Sequence, residues 1–126
     1  MLLEKNEKFI LLIEDNNSVR EALVWTLEYA GYLVATVRNG EEALSFLENN
    51  PLPFVIFLDL MMPVLDGFEF REKKRTNQQI KNIPTIIASA KTNLEKVERM
   101  QYESFLPKPF ELNNLLELIR KYHELN

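Results

Sequence analysis

Residues 54–67 read FVIFLDLMMPVLDG, an unbroken apolar run that ends in an aspartate and passes into a proline-stiffened loop. Five consecutive apolar residues, 54–58, describe a strand buried on both faces of a parallel sheet, because a half-exposed strand would alternate. Asp59 then stands where the chain leaves that strand at its carboxyl end, the edge at which doubly wound sheets hold their ligands. Pro63 stops a helix from running through the loop, and Asp66-Gly67 opens the next helix with Asp66 as its N-cap. Taken alone, the stretch fits an ordinary strand-to-helix turn as well as a positioned nucleophile or metal ligand.

Outward from this stretch the chain keeps alternating strand-like and helix-like segments. Toward the amino terminus, FILLI at 9–13 is a second continuous apolar run. A helix follows from Asn17 or Ser18, with Val19, Ala22, Leu23, Leu27 and Ala30 on one face and Gly31 as its stop. Residues 33–37 read as a strand, and Asn39 caps a helix carrying Ala43, Leu44 and Leu47 that ends before Pro51. Toward the carboxyl terminus come the helix FEFREKKR, a strand over 85–88 after Pro84, and a capping box Thr92-x-x-Glu95. A short strand, 104–106, precedes Pro107-Lys108-Pro109, and a last helix aligns Leu112, Leu115, Leu116, Ile119 and Tyr122. The pattern is α/β, a (βα) unit used five times, which implies a doubly wound parallel sheet with right-handed crossovers and helices on both faces.

Composition bounds the function. With 126 residues, 46% hydrophobic and 27% charged, the chain is expected to make one globular domain over residues 1–126, with a core over about 8–124 and no attached output domain. A formal net charge of −4 supplies no basic excess for nucleic acid. The absence of cysteine excludes disulfide, thiolate and cysteine-zinc chemistry, and a single histidine, His123, reads as a solvated helix-end residue. Neither a signal peptide nor a membrane span is visible, so a cytoplasmic protein without membrane contact is expected.

Strand ends are where chemistry should collect. The first strand ends in Glu14-Asp15, the third in Asp59, the fourth in Ser89, and the fifth runs into Lys108. Singly, each also fits a cap, a turn or a solvated charge. Together they bring three carboxylates, a hydroxyl and an ammonium into one crevice. Clustered carboxylates raise one another's pKa unless a cation intervenes, and hard oxygen ligands suit Mg²⁺, with Mn²⁺ as a substitute. A carboxylate in such a site can act as a nucleophile and form an aspartyl phosphate, with the metal and lysine neutralising charge.

Glu14-Asp15, DLMMPVLDG around Asp59, Ser89-Ala90 and Lys108-Pro109-Phe110 together resemble the receiver domain of two-component response regulators, over nearly the whole chain. The resemblance implies a flavodoxin-like, chemotaxis-regulator fold with a five-stranded parallel sheet of order 2-1-3-4-5. It implies that Asp59 accepts phosphate from a histidine kinase or phosphotransfer protein. Mg²⁺ would be held by Glu14, Asp15, Asp59 and the backbone carbonyl of Met61, while Ser89 and Lys108 contact the phosphoryl group. Ser89 and Phe105 would form the switch, and a downstream protein would read it, with the chain a monomer or weak homodimer. Apart from self-phosphotransfer and autodephosphorylation, no enzyme activity is implied. Several residues depart from the family pattern: Glu14 for the usual Asp, Ser89 for the commoner Thr, Phe105 without a hydroxyl, and Gln101-Tyr102 for a usual Gly-Ala. The segment between Ala90 and Phe105 is about one helical turn shorter than usual.

Competing readings are weaker. An FMN phosphate loop would need free N–H groups where Glu14-Asp15-Asn16-Asn17 stands, and an aspartate-nucleophile phosphatase would carry an acid where Met61 stands. A phosphate-insensitive, receiver-like binding module is the remaining alternative. Trp25, off the apolar stripe of its helix, is expected to pack on a neighbouring helix, with a partner anchor as the other reading. Arg71, Lys73, Lys74 and Arg75 read as a solvated face at a helix end. The Lys108–Pro109 bond is expected to be cis. The fourth helix is expected to span about two turns after Thr92, held weakly by Leu94, Val97 and Met100, and to be the part most reorganised by phosphorylation.

Overall fold

The computed structural model describes residues 3–4, 7–60 and 67–125. Strands β1 (Phe9–Ile13), β2 (Leu33–Val37), β3 (Val55–Asp59), β4 (Thr85–Ala90) and β5 (Glu103–Lys108) alternate with helices α1 (Asn17–Tyr29), α2 (Gly40–Asn49), α3 (Gly67–Arg75), α4 (Lys91–Leu94) and α5 (Leu112–Leu125). All pairings are parallel and the sheet order is β2-β1-β3-β4-β5, as expected. Among the described residues no helix is long and apolar enough to cross a membrane.

Alternation along the buried strands divides the core into two layers. Phe9, Leu11, Ile13, Ile56, Leu58 and Ile87 face α2, α3 and α4, whereas Ile10, Leu12, Val55, Phe57, Ile86 and Ala88 face Leu23 and Leu27 of α1 and Leu115 and Ile119 of α5. Strands β1 and β3 are buried throughout, which is why β1 is wholly apolar and β3 is apolar up to its last residue, Asp59. Two asparagines start helices: Asn16 Oδ1 accepts from Val19 N–H at 2.9 Å and Asn39 Oδ1 from Glu42 N–H at 2.9 Å. Gly31, at φ +99, ends α1 in a backbone region that side chains disfavour.

Several expectations are corrected. Strand β3 begins at Val55 and includes Asp59, and β4 and β5 are longer than 85–88 and 104–106. Helix α4 is a single turn whose N-cap is Ala90, with no side-chain cap bond, so Thr92 builds no capping box. Val19 and Leu112 are exposed on their helices. Arg71 and Lys74 are not solvated: they share a buried i, i+3, i+4, i+7 stripe with Gly67 and Phe70. Trp25 is 69% exposed and stacks on Tyr29, one turn along its own helix, at 5.6 Å. His123 is half-buried, its ring edge-on to Phe54 at 5.1 Å and to Tyr32 at 5.6 Å. The N-cap role of Asp66 lies outside the described residues.

Candidate functional site

The site sits at the carboxyl ends of the strands because parallel pairing brings those ends level. Ile13 pairs with Leu58, Asp59 with Ala88, and Ala90 with Lys108, so the residues just beyond each strand reach the same edge. Glu14 continues from β1, its N–H bonded to the Val37 carbonyl at 3.1 Å, and Arg20 Nη1 donates to the Glu14 carbonyl at 3.0 Å. Carboxylate oxygens of Glu14, Asp15 and Asp59 lie within 4.8 Å of one another. Lys108 Nζ stands 3.6 Å from Asp59 Oδ1, an ion pair slightly too long for a hydrogen bond. The Lys108–Pro109 peptide is cis, as expected.

Glu14 is the strained member of the cluster. It is 1% exposed, and its Oε1 is the one buried side-chain polar atom without a hydrogen bond among the described residues. Burial first, and then the charge of Asp59, pushes its carboxyl up to about 7, against the opposing pull of the Asn16 N–H and of Lys108. Its Oε2 accepts from that Asn16 N–H at 3.2 Å. A buried, unsatisfied oxygen beside two further carboxylates is a donor set for a hard divalent cation, which would remove both the repulsion and the orphaned acceptor.

Around this cluster the structure places the other expected residues. Ser89 is 3% exposed, and its Oγ accepts from Asn93 Nδ2 at 3.3 Å. Phe105 pairs with Ile87 in the sheet and is half-buried against the layer facing α2, α3 and α4. The Met61 carbonyl lies outside the described residues. Gly67 holds the far end of the loop: its N–H bonds the Leu60 carbonyl at 3.0 Å, and a Cβ there would stand 2.4 Å from that oxygen. Sequence reasoning missed Arg20, Asn16 and Asn93. Asn16 was detectable as a cap one residue before the helix, but the contacts of Arg20 and Asn93 are side-chain geometry that no spacing announces.

Comparison with known proteins agrees with this geometry. The response regulator receiver domain model matches residues 10–120. Response regulator MprA of Mycobacterium sp. (strain KMS) is 36% identical over 114 residues, covering 88% of this chain and 48% of that one, so the chain spans about half of its length. Among solved structures, the signal receiver domain of a histidine kinase from Syntrophus aciditrophicus aligns with TM-score 0.82 at 28% identity, covering 91% of this chain and 89% of that one. The chemotaxis response regulator CheY4 of Vibrio cholerae aligns with TM-score 0.77 at 31% identity, covering 93% and 99%. The receiver domain of sensor histidine kinase PA1611 from Pseudomonas aeruginosa PAO1, with a magnesium ion coordinated in its active site cleft, aligns with TM-score 0.80 at 26% identity, covering 92% and 97%. The chain therefore belongs to the response regulator receiver domain family, whose general function is phosphorylation-dependent switching in two-component signalling.

Proposed function

We propose that Asp59 is the phosphoacceptor of this switch, receiving its phosphoryl group from a histidine kinase or phosphotransfer protein and signalling through contact with a further protein. The observation that carries this reading is the placing of three carboxylates within 4.8 Å of one another, with Lys108 at 3.6 Å from Asp59. Glu14, Asp15 and Asp59 would hold Mg²⁺, or Mn²⁺ in its place, and the metal would supply positive charge opposite the phosphoryl oxygens. A carboxylate oxygen of Asp59 attacks phosphorus, the bond from phosphorus to the donor imidazole nitrogen breaks, and the electron pair returns to that nitrogen. Lys108 pairs with a phosphoryl oxygen and the Ser89 hydroxyl donates to another. Water later cleaves the acyl phosphate, so the chain resets itself and turns over no outside substrate. Phe105, lacking a hydroxyl, would report the change through packing. We place this activity in a cytoplasmic monomer or weak homodimer.

Incubation with acetyl phosphate and Mg²⁺, read by intact-mass spectrometry, should add one phosphoryl group to the wild type and none to Asp59→Asn. Lys108→Ala should still label but lose the conformational response to beryllofluoride. Equal labelling of wild type and Asp59→Asn would remove the assignment, and a wild type that neither labels nor responds to beryllofluoride would favour the phosphate-insensitive binding module.

A further inference from the structure

A cavity of about 460 Å³ opens at the amino ends of β4 and β5, between the last turn of α3 and the turn that enters β5. Parallel strands put it at the opposite end of the sheet from Asp59 and Lys108. In a chain of net charge −4, its wall gathers Arg71, Lys74, Arg75 and Lys81 against one carboxylate, Glu103. That carboxylate is already engaged. Arg71 donates to its two oxygens at 2.7 Å each, and the Met100 N–H donates to Oε1 at 2.8 Å.

The lysines are the unusual feature. Lys74 is 6% exposed and donates to the Lys81 carbonyl at 3.0 Å, while an ammonium has three protons to place. Among the described residues neither Lys74 nor Lys81 forms an ion pair. Burial lowers the Lys74 ammonium to about 8, with the charge of Glu103 only partly restoring it. On the same wall Tyr102 is held at φ 68, a conformation that strains a bulky side chain, and the residue is 41% exposed. A buried cation with donors to spare, a second cation beside it and an aromatic ring held against its own backbone preference form a built pocket for an anion with an organic part.

We propose that this cavity binds a small phosphate monoester, its charged end against Lys74 and Lys81 and its organic part against Tyr102 and Met100. The site needs no phosphoryl group at Asp59 to be occupied. Its occupant would tie α3 to the turn that begins β5, the strand that delivers Lys108.

Titration with adenosine monophosphate and with inorganic phosphate, in the absence of Mg²⁺, tests it by calorimetry and amide NMR shifts. The wild type should bind saturably, with shifts centred on Lys81, Gln101 and Tyr102 and with the nucleotide held more tightly than phosphate. Lys74→Met combined with Lys81→Ala should weaken binding at least about tenfold, the loss of two charge-assisted contacts. Lys81 is only half-buried, so Lys81→Ala alone provides a folded variant, and it should weaken binding as well. Asp59→Asn should bind as the wild type does, which separates this site from the proposed phosphoacceptor. No saturation in the millimolar range, unchanged affinity in Lys81→Ala, or shifts confined to Ser89 and Lys108 would overturn the proposal.

Discussion

Glu103→Ala should be as damaging as the loss of a core side chain, although it lies away from the phosphorylation site. Arg71 and Glu103 are 5% and 6% exposed at their side chains and meet through two bonds of 2.7 Å, while Arg71 Nη2 also reaches the Glu98 carbonyl at 2.8 Å. Truncating Glu103 leaves a guanidinium in the interior without its counter-charge, a change that costs about 3–5 kcal/mol. It also frees the Met100 N–H and withdraws the carboxylate that holds Lys74 protonated. Against a total stability of about 5–15 kcal/mol, that loss should lower the melting temperature by roughly 10–20 °C. Urea unfolding would measure it, with the slope unchanged if only stability has moved. The double variant Arg71→Met/Glu103→Leu should recover part of the loss, since a packed apolar pair replaces a buried ion pair at little cost while the Glu98 carbonyl and the Met100 N–H stay unpaired. A Glu103→Ala penalty below about 1 kcal/mol, or a double variant as unstable as the sum of the two singles, would show that the pair is not a desolvated unit.

Three further outcomes follow from the same structure. Glu14 keeps its proton in the folded state up to about pH 7 but only to the ordinary carboxylate range when unfolded, so metal-free stability should fall as pH rises from 4.5 to about 7. The fall has an upper bound of about 3 kcal/mol; Glu14→Gln should flatten it in urea titrations, and saturating Mg²⁺ should remove it from the wild type. Lys74 has the opposite profile: the unfolded chain holds its proton to 10.5 and the folded chain to about 8, so stability should rise across that window, by up to about 3 kcal/mol, in the wild type and not in Lys74→Met. Gly67→Ala should cost about 1–3 kcal/mol in the same assay and slow phosphorylation by acetyl phosphate, because the added methyl meets the Leu60 backbone one residue after Asp59.

The fold was legible because β1 and β3 are buried on both faces and so run apolar through Ile13 and through Leu58. The first polar positions after those runs therefore marked the strand ends, and with them the site. What could not be read depends on partners distant in the chain. Arg71 and Lys74 look solvated in a run of basic residues, yet Glu103 lies 32 residues from Arg71, and Lys74 is anchored by a backbone carbonyl, which sequence does not display. His123 looks like a frayed helix end until β3 and α5 bring its ring against Phe54. The Thr92 capping box failed for a local reason: β4 runs on to Ala90 and α4 starts at Lys91, so Thr92 already lies inside the first turn.

The corrections at Arg71 and Thr92 share one physical origin. A helix of one turn can bury little apolar surface, and α4 contributes Leu94 as its one buried residue, with Val97 beyond it half-buried. The segment that follows is instead fastened by polar contacts: Arg71 to the Glu98 carbonyl, Glu103 to the Met100 N–H, and Arg99 Nη1 to the Glu103 carbonyl at 2.9 Å. Arg71 must be inside to make these contacts, so the shortness of α4 and the burial of a cation on α3 are two sides of one arrangement. The same arrangement limits what a switch here can move. At one end Ser89 is bonded to Asn93 in α4, and at the other Arg71 holds Glu98, five residues on. A displacement of Ser89 by a phosphoryl group on Asp59 would therefore act on a short segment fixed at both ends. It would have to shift the Arg71–Glu103 pair as a unit or be absorbed within that single turn, because desolvated charges 2.7 Å apart resist gradual separation far more than a loose apolar contact does.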